Sequence, residues 1–515
     1  MSLTISAGQV AAFIANPTSF AGYSSGGYVK VDGAIDYSVA SSLNAVPATY
    51  IEASILETTV ANLIGIAVNN PTRNTLNKFS FAVSETAATA AELNSIVAKT
   101  SIPPDFSKIT LIEPSDAAAV KTLYTSTTTG LANENIKVND TAISAKDLTT
   151  INGYTTGLVT PTAATSITGE VADVKSLLDT LKAQVDATQL GITLTDFDHD
   201  ADANTAAKKA TTLPITITDT IVDAAKLLAV VDHENHNALV TVGSGATALS
   251  GTAANMASIY LAGSTKVTGI GALNLNTTDD KITKTTQAAL DGYTTGIITA
   301  TIDGGLFSGN KTLTGLTGTG HNLTITVTDT AASAAELKAL DAVTTKAIDL
   351  STIATIEAST PADIVTVLNS AGFSAFKSDV AIVSTTGATT VGQANIMDAK
   401  TTGAVTATIA QGDMASLNTL TGTGNAYTVT ITDANVLAAD LNALNAKTDL
   451  AITASNVQQI TGSLADIKKF YTDAAKVDAN NNNAKTDFTA STTQTINITD
   501  TIVDAADLAS IREAT

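Results

Sequence analysis

Cysteine and tryptophan are absent from the 515 residues, and arginine occurs only as Arg73 and Arg512. Without cysteine there is no disulfide scaffold, no thiolate metal site and no cysteine nucleophile. Two arginines leave little capacity for bidentate recognition of phosphate or carboxylate. Positive charge is scarce altogether, with 27 Lys+Arg against 48 Asp+Glu and a formal charge of -21. So acidic a chain lacks the basic face of sequence-independent nucleic-acid binding, and no nucleic-acid partner is expected. No run of about 18 apolar residues occurs, so no membrane insertion is expected. The first positive charge is Lys30, so no basic stretch precedes an apolar one and no Sec-type signal peptide is read. Aromatics make up only 4% of the chain, which predicts a thin, aliphatic core. The hydrophobic share of 44% is nevertheless too high for a disordered chain.

What is abundant is threonine, 89 residues by count, and self-similarity. ITDTIVDAA occurs at 217–225 and again at 498–506, GYTTG at 153–157 and 292–296, and TTGIITATI at 294–302 parallels TTGAVTATI at 401–409. Two units alternate. In the first, a β-run ends in an acid and a helix follows; its acids are Asp140, Asp219, Asp329, Asp433 and Asp500, with weaker copies at Asp32 and Glu85. In the second, a short β-run leads through a small residue to another helix, as in SITGEVADVKSLL (166–178) and QITGSLADIKKFY (459–471). A double unit spans about 53 residues and each half about 26. N-caps followed by an acid three residues on mark helix starts at Thr89/Glu92, Ser144/Asp147, Ser333/Glu336, Thr360/Asp363, Ser463/Asp466 and Asp504/Asp507.

Helices of two to three turns and strands this short are marginal alone, but stacked units bury one continuous stripe. The expected fold is therefore α/β: an elongated repeat solenoid of short parallel strands and short helices. Separate globular domains on linkers are the alternative. Residues 1–75 read as divergent repeats or a cap. Residues 76–515 read as the array, with insertions near 185–210 and 474–490. The last unit stops at Thr515 where earlier copies run on, so either a partner completes the coil or the chain continues; continuation is the expectation.

Chemistry is sparse. Asp196, Asp198, Asp200, Asp202 and Asn204 place oxygens at every second position, a pattern that can wrap calcium. The segment lacks the glycine and distal glutamate of an EF-hand, and a solvated acidic insertion is the alternative. The recurrent acids would line one edge of a stack, either binding cations between coils or capping nearby backbone N–H groups. His233 and His236 lie three apart and suit zinc or nickel, or a polar loop. Gly304 to Thr312 nearly spells a phosphate loop, but Asn310 interrupts it. No GxSxG elbow occurs, the paired carboxylates fall on helix caps, and no catalysis is expected. Tyr23, Tyr28, Tyr37 and Tyr50 cluster near the N-terminus, where they would stack on sugars or simply pack.

The segments ITDT (217–220 and 498–501), AAEL (334–337), AADL (438–441 and 505–508), TTG (401–403) and TGSLAD (461–466) resemble repeats of giant cell-surface proteins of marine cyanobacteria, including the swimming-motility protein of Synechococcus. The resemblance covers roughly residues 80–515. It implies an extracellular or cell-surface location, export without a Sec signal through a type I route, and a structural role. The glycine-rich calcium nonapeptide of many type I exoproteins is missing. The functional expectation is a non-enzymatic structural protein forming an S-layer, fibre or filament by self-association, with calcium as the expected ion. An adhesin module recognising a cell-surface polysaccharide is the alternative.

Overall fold

The computed structural model describes residues 2–514 except 47–49, 67–76, 188–191, 193, 195–210, 235, 310, 475–487 and 491–493. The chain divides into two compact units, Met1–Leu273 and Asn274–Thr515. Each is an α/β solenoid whose strands pair in parallel with those of the next coil.

A coil has simple local causes. Alternation of apolar residues with Thr gives a three- to five-residue strand, as in Ile215–Ile217, where Ile215 and Ile217 are buried and Thr216 is half-buried. After the recurrent acid, a second short strand leads to an N-cap and an eight- to ten-residue helix. The helix Ala334–Val343 begins with the Ser333/Glu336 capping box and buries Ala334, Leu337, Leu340 and Val343. The Thr89/Glu92 box is equally complete, and the Ser144 hydroxyl accepts from the Asp147 N–H. Two further boxes, Ser6/Gln9 and Thr390/Gln393, use glutamine in place of an acid.

In the first unit, Ala87 pairs with Leu111 and Leu111 with Asn135, 24 residues per coil each time. Farther along, Ser144, Thr168, Thr216, Thr241 and Thr268 lie in register across five adjacent strands, forming a half-buried file of hydroxyls. The core is aliphatic, as its composition predicts. Its N-terminal end is covered by aromatics, with Phe20 and Tyr23 packed edge-on against the buried Phe13, both at 5.4 Å. In the second unit, Ala331–Ser333, Thr355–Glu357, Ala381–Thr389, Val405–Ile409 and Ala426–Thr428 form one sheet. Asn435–Leu437, Gln459–Gly462 and Thr495–Ile498 form another. One coil, after the strand Ile298–Thr301, has a loop in place of its helix. Most of the segments near 185–210 and 474–490 lie outside the described residues. No described helix is long and apolar enough to cross a membrane.

Candidate functional site

The recurrent acids reach backwards to the preceding coil. The Asp140 carboxylate accepts the N–H of Ala117 at 2.8 Å, and Ala117 opens the previous helix, Ala117–Thr125. Asp219 does the same for Val171 at 2.6 Å, Asp433 for Met414 at 2.6 Å and Asp500 for Leu464 at 2.5 Å. Each acceptor serves the first residue of a helix. Glu85 fills the role for Val60 at 2.8 Å, and Gln411 for Val391 at 2.9 Å. Asp329 accepts from Phe307 and Ser308 in the coil whose helix is replaced by a loop. The local N-cap holds the amide three residues on, and the next coil's acid holds the first. Orphan helix amides are thus shared between a local and a remote acceptor, with the negative charge at the positive end of the helix dipole. Of the two readings of these acids, capping is the one the geometry supports.

The second unit type supplies the counterpart. Opposite the first helical alanine it places serine or glycine. Ser115 accepts from Ala90 at 2.9 Å, and Ser359 from Ala334 at 2.8 Å. Where glycine stands there is no room for more: a Cβ on Gly251 would lie 2.8 Å from the Ala224 methyl, and one on Gly462 would lie 3.0 Å from that of Ala438. The small residue before each of these helices is therefore a packing requirement.

Threonine hydroxyls stitch the coils together beyond the opposite ends of two of these helices. The first Thr of the T-T-G motif donates to a carbonyl of the preceding coil: Thr155 to Glu134 at 2.6 Å, Thr401 to Val380 at 2.6 Å. The same hydroxyls accept from Gly157 and Gly403. A Cβ on Gly157 would sit 2.3 Å from the Glu134 carbonyl oxygen, so the motif ends in glycine. His321 belongs to this scaffold too. Its Nδ1 accepts the Ile298 N–H at 3.2 Å, and its Nε2 lies 2.9 Å from Asp291. Asn425, after the repeated TGTG, makes the same two bonds, accepting from Val405 at 2.9 Å and donating to Asp398 at 2.9 Å. An imidazole exchangeable with an amide in this way is a structural bridge.

Asp196, Asp198, Asp200, Asp202 and Asn204, and with them His199, lie outside the described residues. Among the described residues no three His, Asp or Glu side chains converge as a metal site requires. His233 contacts Asp179 at 3.4 Å, while His236 is buried. Lys175 and, secondarily, His233 hold the Asp179 carboxyl below the usual carboxylate range. In the near-phosphate loop, the amides of Phe307 and Ser308 are taken by the Asp329 carboxylate, which repels an anion. Of the four tyrosines, Tyr23 packs on Phe13 and Tyr37 stands at the start of a helix. Tyr28 and Tyr50 stack at 5.4 Å on adjacent strands, with the Lys78 ammonium 5.8 Å from the Tyr28 ring.

Two buried polar groups escape sequence reasoning. Glu134 is fully buried; one carboxyl oxygen accepts from Ala132 and Asn133 and the other has no partner. Burial pushes this carboxyl above the usual range. Tyr427 is also fully buried, its hydroxyl is unpartnered, and burial together with the Asp398 charge raises it strongly.

Compared with known proteins, the chain matches no family model, and no curated protein matches it.

Proposed function

We propose that this chain is a non-enzymatic, extracellular structural repeat protein that self-associates into a surface layer, fibre or filament. The observation that carries the reading is how the repeated polar residues are used. The side chains that would supply chemistry (Asp140, Asp219, Asp433, Thr155, Thr401, His321) each hold a backbone group of a neighbouring coil. A repeat whose recurrent carboxylates and hydroxyls are consumed in stacking is built for extent and stiffness. The resemblance of its ITDT, TTG and TGSLAD segments to giant cyanobacterial surface proteins supports the location and the type I route. Calcium would be held by Asp196, Asp198, Asp200, Asp202 and Asn204, whose alternating oxygens suit a hard cation.

Electron microscopy of the purified chain, with calcium and then with chelator, tests this. Ordered assemblies that disperse in chelator are expected. Dispersed single particles at high concentration with calcium present would contradict the assembly.

A second reading, a polysaccharide-binding module, is favoured by the Tyr28–Tyr50 stack on an outer sheet face. A glycan array tests it. Binding abolished by Tyr50→Ala supports it, and an array without hits removes it.

A further inference from the structure

Several coils share one seam. A threonine hydroxyl donates to a carbonyl of the preceding coil: Thr100 to Phe79 at 2.5 Å, Thr155 to Glu134 at 2.6 Å, Thr344 to Leu323 at 2.8 Å, Thr401 to Val380 at 2.6 Å and Thr448 to Tyr427 at 2.8 Å. The next amide after each threonine donates to the carbonyl two residues before the acceptor: Ser101 to Asn77, Thr156 to Ala132, Thr345 to His321, Thr402 to Ser378 and Asp449 to Asn425. Glu134 therefore stands where other coils place Phe79, Leu323, Val380 and Tyr427, and all five are at most 1% exposed. The Val380 coil matches most closely. Ile136 donates to the Leu158 carbonyl at 2.8 Å, and Ile382 to that of Ala404 at 3.1 Å. Gly157 and Gly403 both donate to their threonine hydroxyl. A place that elsewhere takes an apolar or aromatic side chain here takes a carboxyl.

We propose that Glu134 makes this seam a pH-operated joint, closed while the carboxyl holds its proton and opening locally as the proton leaves. One carboxyl oxygen accepts the Ala132 and Asn133 amides at 2.9 and 3.1 Å, and the other is buried without a partner. A neutral carboxyl tolerates that place far better than an unpaired charge. Burial is the largest cause of its raised value, and backbone amides, its own among them, offset it only in part. No charged side chain is among the causes. Titratable groups on the surrounding elements are engaged elsewhere: Tyr124 stacks on Tyr154 at 5.0 Å, Lys137 pairs with Glu113 at 3.7 Å, Lys108 pairs with Glu57, and Asp105 holds the Ser107 amide. In the opened coil the carboxyl ionises at its ordinary value, so opening releases a proton. The opening equilibrium then grows by up to about tenfold per pH unit between the ordinary value and the raised one, and levels off above it. Stacked repeats contact only their neighbours, so the opening is confined to the coils that meet at this seam.

Hydrogen exchange of the full chain from about pH 4 to about pH 8, corrected for the intrinsic pH dependence of exchange, tests the joint. The seam amides of Ile136 and Thr156 are expected to lose protection by up to about tenfold per pH unit within that window. Their counterparts Ile382 and Thr402, with Val380 at the seam, are expected to keep theirs. Glu134→Gln retains an acceptor for the Ala132 and Asn133 amides and removes the charge, while Glu134→Val copies the matching coil. Both are expected to hold protection at Ile136 and Thr156 constant across the series. Loss that survives Glu134→Gln, equal loss in both coils, or no loss at Ile136 and Thr156 overturns the proposal. The joint needs no partner, so each of these outcomes leaves the surface-assembly reading where it stands.

Discussion

Asp140 holds a single amide, that of Ala117, at 2.8 Å. Asp140→Ala removes the acceptor and is expected to cost about 1–2 kcal/mol, as for other lost helix caps. Asp140→Asn keeps an oxygen and loses the charge, so a smaller loss is expected; denaturant unfolding of both variants checks the order. His321 gives a sharper contrast. His321→Asn is expected to be nearly neutral, because Asn425 already makes the same pair of bonds, while His321→Leu strands the Ile298 N–H and Asp291. A loss of about 1–3 kcal/mol for the leucine variant alone is the expected outcome in thermal melts. Glu134 contributes to the pH dependence through its burial. Its folded carboxyl binds its proton more tightly than the unfolded one, because burial disfavours the charge. The stability it contributes is present below the unfolded range and lost as pH rises through the raised folded value. Melting temperature should fall over that rise, and Glu134→Gln should flatten the dependence.

At the scale of the element, stacking sets the residue choices. Gly462→Val drives a branched side chain into Ala438, whose methyl is already 3.0 Å from where a Cβ would stand. An overpacking cost of about 1–3 kcal/mol is expected in denaturant titrations, against little for Gly245→Ala, where nothing lies within 4 Å. Much of this architecture is legible in the sequence. The spacing of Asp140, Asp219, Asp329, Asp433 and Asp500 reveals the period, Ser333/Glu336 marks a helix start, and Thr–Ile alternation gives the strands. The partner of each acid is not legible, since it lies about 20–50 residues upstream and is a backbone N–H without side-chain signature. The glycine of SITG and QITG reads only as a small residue until the alanine it faces is known. The equivalence of His321 and Asn425 was within reach, because both follow TGTG, yet only geometry shows imidazole and amide making the same bonds.

Over the whole chain the charge is -21, and acids such as Asp116, Asp223 and Asp413 serve as helix caps. Lysines of one helix pair with first-turn acids of the next, as in Lys121–Asp147, Lys338–Asp363 and Lys468–Asp507. Such exposed pairs contribute little each and weaken with salt, so the caps and the apolar stripe carry the stacking. If the recurrent acids are caps and not ion ligands, the coils hold without calcium. Native-state hydrogen exchange at the first helical amides, Ala117, Val171 and Leu464, tests this most directly. The account predicts slow exchange that is the same with calcium and with chelator, and that speeds up at Ala117 alone in Asp140→Ala. Fast exchange at all three that slows only on adding calcium would contradict it.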